Sequence, residues 1–161
     1  MAQDMFLKLD GIKGESMDSK HKDEIDVLSF SWGESNAAAG AHLGGGGAGK
    51  VSVQDFSFTA RVNKASPILF LSCATGKHIK DGLISVRKAG ESAGNARGDF
   101  LTYKMTDVII SSYQISGNTQ EIPTDSFSLN FTQLDVTFLP QKADGTFDAP
   151  VMASFNFLEH K

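Results

Sequence analysis

Apolar and polar residues alternate over most of this chain, and a period of two predicts strands rather than helices. Met5, Leu7 and Leu9 open the pattern, with Phe6 and Lys8 on the other face, as in a first strand. Gly11 to Asp23, GIKGESMDSKHKD, is rich in turn formers and charge and is expected to be a surface loop. In the next run Leu28, Phe30 and Trp32 share one face, and Ser29 and Ser31 share the other. The first face belongs in a core; the small hydroxyls belong beside water or another subunit. Val51 and Val53 begin a further run, which changes phase near Asp55 before Phe56 and Phe58 and so predicts a bulge.

Between these two runs lies a connection made almost wholly of Ala, Gly, Ser and Asn, which cannot bury itself. Connections of this length inside compact domains are usually functional or disordered. One helix is predicted: Ser66 is a suitable N-cap, Pro67 fits the first helical position, ILFLSCATGKHI carries an apolar face, and Gly76 ends it left-handed. Strands follow at Leu83–Lys88 and Phe100–Ile115, joined by AGESAGNARGD. After the loop SGNTQEIPTD, Phe127, Leu129 and Phe131 share a face, and Leu134, Val136 and Phe138 continue out of phase. The Asp144-Gly145 turn precedes a last strand, Val151–Leu158. A mainly β chain with one short helix and no βαβ repeat indicates a closed barrel or a two-sheet sandwich.

Length and composition narrow the picture. A chain of 161 residues fits a single domain, 1–161, and its 12 Phe, 16 Gly and 4 Pro favour an aromatic-cored β protein. A net charge of -4 argues against nucleic acid, whose phosphates require a basic face. The single cysteine, Cys73, excludes an intramolecular disulfide and a thiolate metal cluster within the chain, which suits a reducing compartment. MAQDMFLKLDG lacks the basic and apolar regions of a secretory signal, so any export is expected to bypass the general route; no apolar run predicts membrane insertion.

Candidate chemistry is sparse. GGGGAGK, Gly44 to Lys50, meets the first seven positions of a phosphate-binding loop, but Val51 stands where a Mg²⁺-holding hydroxyl is required. A strand-like run follows it, whereas such a loop should lead into a helix. His21, His42, His78 and His160 match no metal spacing and are expected at the surface. Cys73, among Leu69, Phe70 and Ala74, reads as a buried small hydrophobe. Asp23, Glu24 and Asp26, with Lys20 and Lys22 nearby, read as a solvated mixed-charge loop. Nothing requires an enzyme, and no cofactor is expected. The Gly/Ala loop is suited to lie against a neighbouring subunit, because its backbone can approach closely and donate its own amides.

The ordered set GESxD, SFSWG, GGGGAGK, GKHI, RKAG and PQKADG resembles the haemolysin-coregulated protein (Hcp) family of bacterial type VI secretion systems over nearly the whole chain. The resemblance implies a β-barrel-like protomer of two antiparallel sheets with one short flanking α-helix and a long extended loop. It also implies hexameric rings that stack into a tube, which carries effector toxins in its lumen, bears a spike protein at its tip and is driven by contractile sheath proteins. Assembly in the cytoplasm is then followed by secretion through that system without a cleavable signal peptide. By position in the motif, Ser29 and Ser31 would face the lumen and the effector. The loop from Ser35 to Gly49, with Ala39, Gly40, His42, Leu43, Gly44, Gly45, Gly46 and Gly47, would contact neighbouring protomers or rings. Phe138 departs from the family, where Tyr is common, and the C-terminus leaves no room for a fused effector domain. The rival reading from the residues is a secreted monomeric β-sandwich that binds a small molecule or glycan; it requires exposed aromatics around a concave site, whereas alternation puts Trp32 in the core.

Overall fold

The computed structural model describes residues 3–36, 50–88 and 98–161. Its elements are β1 (Gln3–Leu9), β2 (Ile25–Asp26), β3 (Ser29–Ser31), β4 (Glu34–Asn36), β5 (Val51–Val53), β6 (Phe56–Arg61), α1 (Ser66–Thr75), β7 (His78–Lys88), β8 (Asp99–Ser116), β9 (Thr124–Asn130), β10 (Gln133–Phe138) and β11 (Val151–Asn156). The architecture is mainly β with one short helix, as expected. Every ladder among the described residues is antiparallel. Nine strands form one sheet in the order β2-β1-β7-β8-β9-β6-β3, with β10 joined to β8 and β11 to β10; β4 and β5 form a second sheet.

The 18-residue strand β8 is the spine. Its first half pairs with β7 on one edge and β10 on the other, while its second half pairs with β9. β9 and β10 therefore act as one long partner, interrupted at Phe131-Thr132. That interruption is the phase change read after Phe131 in the sequence. Curling brings the two ends of the large sheet together. The ladders do not close, but a short stretch bridges the seam: Val27 N donates to Met5 O (3.0 Å) and Leu28 N donates to Thr59 O (2.8 Å). The protomer is thus barrel-like without being a closed barrel.

The apolar half of each alternation fills the core. Phe56, Phe58 and Phe127 are buried, with ring centroids 5.0 Å apart for Phe56–Phe58 and 5.5 Å for Phe58–Phe127. Trp32 stacks on Phe56 at 6.2 Å and is half-buried. Aromatic pairs at such separations add to the stabilisation from burial alone. Three local expectations need correction. Leu28 is exposed, because the seam uses its backbone and leaves its side chain outside. The phase change near Asp55 is not a bulge but a break, at which the chain passes from the small sheet to the large one. Cys73 is half-buried rather than fully enclosed.

The helix ends as predicted, with Gly76 at φ 65°, ψ 31° and its N–H bonded to Ser72 O. Its start differs. Ala65 occupies the N-cap position, and the Ser66 hydroxyl turns inward to donate to Asp125. Tyr113 Oη donates to the other oxygen of that fully buried carboxylate at 2.6 Å. Burial and this bond push the Tyr113 phenol up to about 12. A buried carboxylate needs such donors, so the serine is used to tie the helix to β9 rather than to cap it.

The loop after β1 also departs from expectation. His21 is buried, stacked on Phe6 at 4.3 Å, with Nδ1 2.8 Å from Glu24 Oε2 and Nε2 2.8 Å from Asp99 Oδ1. Glu24 is buried with it, and desolvation raises its carboxyl above the usual range. Beside them Arg87, half-buried, forks onto Asp18 and reaches Asp4 Oδ2 at 3.4 Å. The stretch read as solvated charge is therefore a latch from the loop to β7 and β8. Gly14 makes room for it: a Cβ there would stand 2.5 Å from the Glu24 carbonyl oxygen.

Gly14→Ala is expected to cost about 1–3 kcal/mol through this backbone clash, measured by urea unfolding; an unchanged midpoint would refute the close packing. The hydrogen bonds from Arg87 hold the Asp18 carboxyl down at about 2. A depressed carboxyl contributes stability at neutral pH that is lost as pH falls from about 4 toward 2. The stability gap between wild type and Asp18→Asn should accordingly be widest at pH 7 and shrink across that interval. A gap of constant size would remove the ion pair from the account.

Candidate functional site: a neutral hydroxyl face

The residues left outside the core by alternation gather on one sheet face. In β3 the hydroxyls of Ser29 and Ser31 point outward while Phe30 packs inward. In β6 the outward positions are Ser57 and Thr59, between the buried Phe56, Phe58 and Ala60. In β9 they are Ser126 and Ser128, between the buried Asp125, Phe127 and Leu129. Register aligns them into two cross-strand rows: Ser31, Ser57, Ser128 and Ser112 form one, and Ser29, Thr59, Ser126 and Gln114 the other. Together they line a shallow depression of about 290 Å³, floored by Phe30, Phe58 and Phe127.

Hydrogen bonds between neighbours organise this surface. Ser29 Oγ and Thr59 Oγ1 are 2.5 Å apart, and Ser112 Oγ and Ser128 Oγ are also 2.5 Å apart. The β8–β9 register shifts between Ile110 and Ser112, so Ser111 also reaches the face and bonds Ser128 Oγ at 2.7 Å. The Ser111 hydroxyl also lies 2.7 Å from Asp55 Oδ2, and Asn130 Nδ2 donates to Asp55 Oδ1 at 2.9 Å. None of the residues lining the depression is charged. Such a surface is hydrated, can offer or accept a hydrogen bond at almost every position, and binds no single partner strongly.

Ser29 and Ser31 thus lie together on a common outer face, as their alternation indicated. Ser57, Thr59, Ser112, Gln114, Ser126 and Ser128 were missed as members of it. Their signal was present in FSFT and DSFS, where hydroxyls interleave with buried phenylalanines. The predicted contact residues Ala39, Gly40, His42, Leu43, Gly44, Gly45, Gly46 and Gly47 lie outside the described residues. Lys50, at the end of the Gly tract, is followed directly by β5 and not by a helix, which removes the structural setting of a phosphate loop. His78, exposed as expected, meets Asp107 Oδ1 through Nδ1 at 2.9 Å. Among the described residues no cluster of His, Cys, Asp and Glu is poised to hold a metal, and no helix is long and apolar enough to cross a membrane.

Fold and face together describe a mainly β protein with an uncharged polar surface on one side of its sheet. Comparison with known proteins is specific. A family model described as "Type VI secretion system effector, Hcp" matches residues 6–138. Protein hcp1 of Pseudomonas aeruginosa is 43% identical over 162 residues, covering 99% of this chain and 98% of that one. The crystal structure of Hcp1 from Salmonella typhimurium matches with a TM-score of 0.82 at 34% identity, over 100% of this chain and 99% of the other. A type VI secretion system effector from Yersinia pestis matches with a TM-score of 0.77 at 35% identity, over 95% and 99%. The chain belongs to the Hcp family and is a structural tube subunit of a type VI secretion system.

Substitutions on an exposed sheet face away from the core change stability by less than about 0.5 kcal/mol. Ser57→Gln should stay within that limit in urea unfolding. A loss of several times that size would mean that the hydroxyl rows serve the fold instead of an external partner.

Proposed function

We propose that the hydroxyl face is the inner wall of a hexameric ring formed by copies of this single-domain chain, and that stacked rings carry effector toxins past it. The observation that supports this reading is the pair of uncharged rows, Ser31-Ser57-Ser128-Ser112 and Ser29-Thr59-Ser126-Gln114. A conduit must hold cargo without trapping it. Each neutral hydrogen bond contributes only about 0.5–1.5 kcal/mol, so retention is the sum of many contacts that release one at a time. Strong ion pairs would oppose release, and an apolar wall would bind unfolded chains indiscriminately.

The protein acts in this reading by shape and weak contact, without catalysis. It assembles in the cytoplasm and leaves through the secretion system without a cleavable signal, with a spike protein at the tube tip and contractile sheath proteins outside. Ser31 belongs to the first row, and the larger side chain of Gln there should narrow the wall. Ser31→Gln is expected to leave ring assembly intact in electron micrographs and to lower the amount of a co-expressed effector recovered with the ring. Equal recovery from both rings would remove Ser31 from the cargo surface, and a wild-type protein that stays monomeric at high concentration would sink the ring itself.

A further inference from the structure

One corner of the hydroxyl face has its protons already committed. A serine hydroxyl has one proton to give and two lone pairs with which to accept, whereas a carboxylate only accepts. Asp55 lies at the break between β5 and β6, and Asn130 Nδ2 holds its Oδ1 at 2.9 Å. The Ser111 hydroxyl, 2.7 Å from Asp55 Oδ2, is therefore the donor in that contact and has no second proton. Ser128 Oγ lies 2.7 Å from Ser111 Oγ, so the Ser128 proton makes that bond. Ser112 Oγ lies 2.5 Å from Ser128 Oγ, and of the two only Ser112 still has a proton to place between them. On geometry alone either serine could donate in both serine–serine bonds; the carboxylate at the end of the chain settles both directions.

The result is a directed relay from Ser112 through Ser128 and Ser111 to Asp55. None of the three hydroxyls keeps a proton for a ligand, and each keeps a lone pair. Hydrogen bonds aligned in one direction polarise one another, which makes the outer oxygens better acceptors. Asp55 forms no ion pair among the described residues, so its charge is not neutralised locally. The other row lacks this bias. Ser29 Oγ and Thr59 Oγ1 are 2.5 Å apart with no carboxylate bonded to either among the described residues, so one of the pair retains a proton to give, and Gln114 adds an amide donor. We infer that Asp55, acting through Ser111, turns its end of the face into an acceptor surface that selects cargo segments rich in lysine or arginine over segments rich in carboxylates. This inference rests on the hydroxyl face as the cargo surface and adds what that surface chooses. Ammonium and guanidinium groups carry donors and no acceptor, so they match the relay; a carboxylate finds no proton there. The net charge of -4 favours the same choice at longer range, without regard to position. Asp55 is a positioning residue, because it orients the hydroxyls that meet the cargo.

The relay is tested by titrating the purified full-length protein, at low salt, with two fluorescein-labelled peptides of equal length, one alternating Lys and Ser and the other alternating Glu and Ser. Wild type should bind the lysine peptide more tightly. Ser111→Ala keeps both the net charge and Asp55 but cuts the relay and returns the Ser128 proton to the surface. It should lower the ratio of lysine-peptide to glutamate-peptide affinity by about threefold to tenfold, the value of one net hydrogen bond, and Ser111→Thr should restore the ratio. Asp55→Asn should lower it at least as far. Asp10→Asn, which removes an equal charge at an exposed position after β1, should leave it nearly unchanged. A ratio that does not move in Ser111→Ala overturns the relay, and equal losses in Asp10→Asn and Asp55→Asn reduce the preference to bulk charge. Ser111 is exposed, and should its alanine variant nonetheless fold poorly, the comparison of Asp55→Asn with Asp10→Asn decides alone. The cargo surface is judged separately by the recovery of a co-expressed effector with Ser31→Gln. Unchanged recovery removes the surface and the inference together, whereas reduced recovery with a ratio indifferent to Ser111 removes the relay alone.

Discussion

The structure depends on the antiparallel pairing of β8 with the β9–β10 run. One strand of 18 residues serves β7 on one edge and two successive partners on the other. Side chains alternate along a strand, so a single register decides which residues enter the core everywhere the pairing extends. The interruption at Phe131-Thr132 and the bulge beside Ser111 are the points at which the sheet changes direction. From that direction follow the curl of the sheet, the seam at Val27-Leu28 and the depression on the outer face.

The same alternation divides the chemistry. Phenylalanines inside and hydroxyls outside alternate within β3, β6 and β9, so packing the core and presenting the neutral wall result from one register. Charge is absent from the residues that line the depression, although Ser111 on the same face bonds the Asp55 carboxylate. It is concentrated elsewhere, in the latch where Arg87 holds Asp18 and where His21 lies between Glu24 and Asp99. The latch holds the long loop after β1 against β7 and β8.

Legibility in the sequence followed the range of the interaction. The two-faced pattern of SFSW was readable because alternation is a local consequence of the strand, and Gly76 was readable because a left-handed cap favours that residue. His21 was not. Its burial comes from Phe6, Glu24 and Asp99, and Asp99 is far away in the chain, so local polarity pointed to the surface instead. Ser66 looked like a cap because capping is a local use of a hydroxyl, and Asp125 recruited it for a long-range one. Leu28 looked like core because it shares a phase with Phe30, but the chain crosses the sheet seam there.

The sequence alone determined the mainly β class, the single short helix with its glycine stop, the aromatic core, the outward Ser29 and Ser31, and, through its ordered motifs, the Hcp family. These depend on residue type and on periods of a few positions. Tertiary structure alone decided that six further polar residues join those serines in two rows, that the sheet curls without closing, that a histidine and a glutamate are buried in a loop full of charge, and that α1 turns serines inward and leaves Phe70 and Leu71 outside. Each of these is set by register or side-chain contact between segments distant in the chain, and such pairings are a property that neither segment carries by itself.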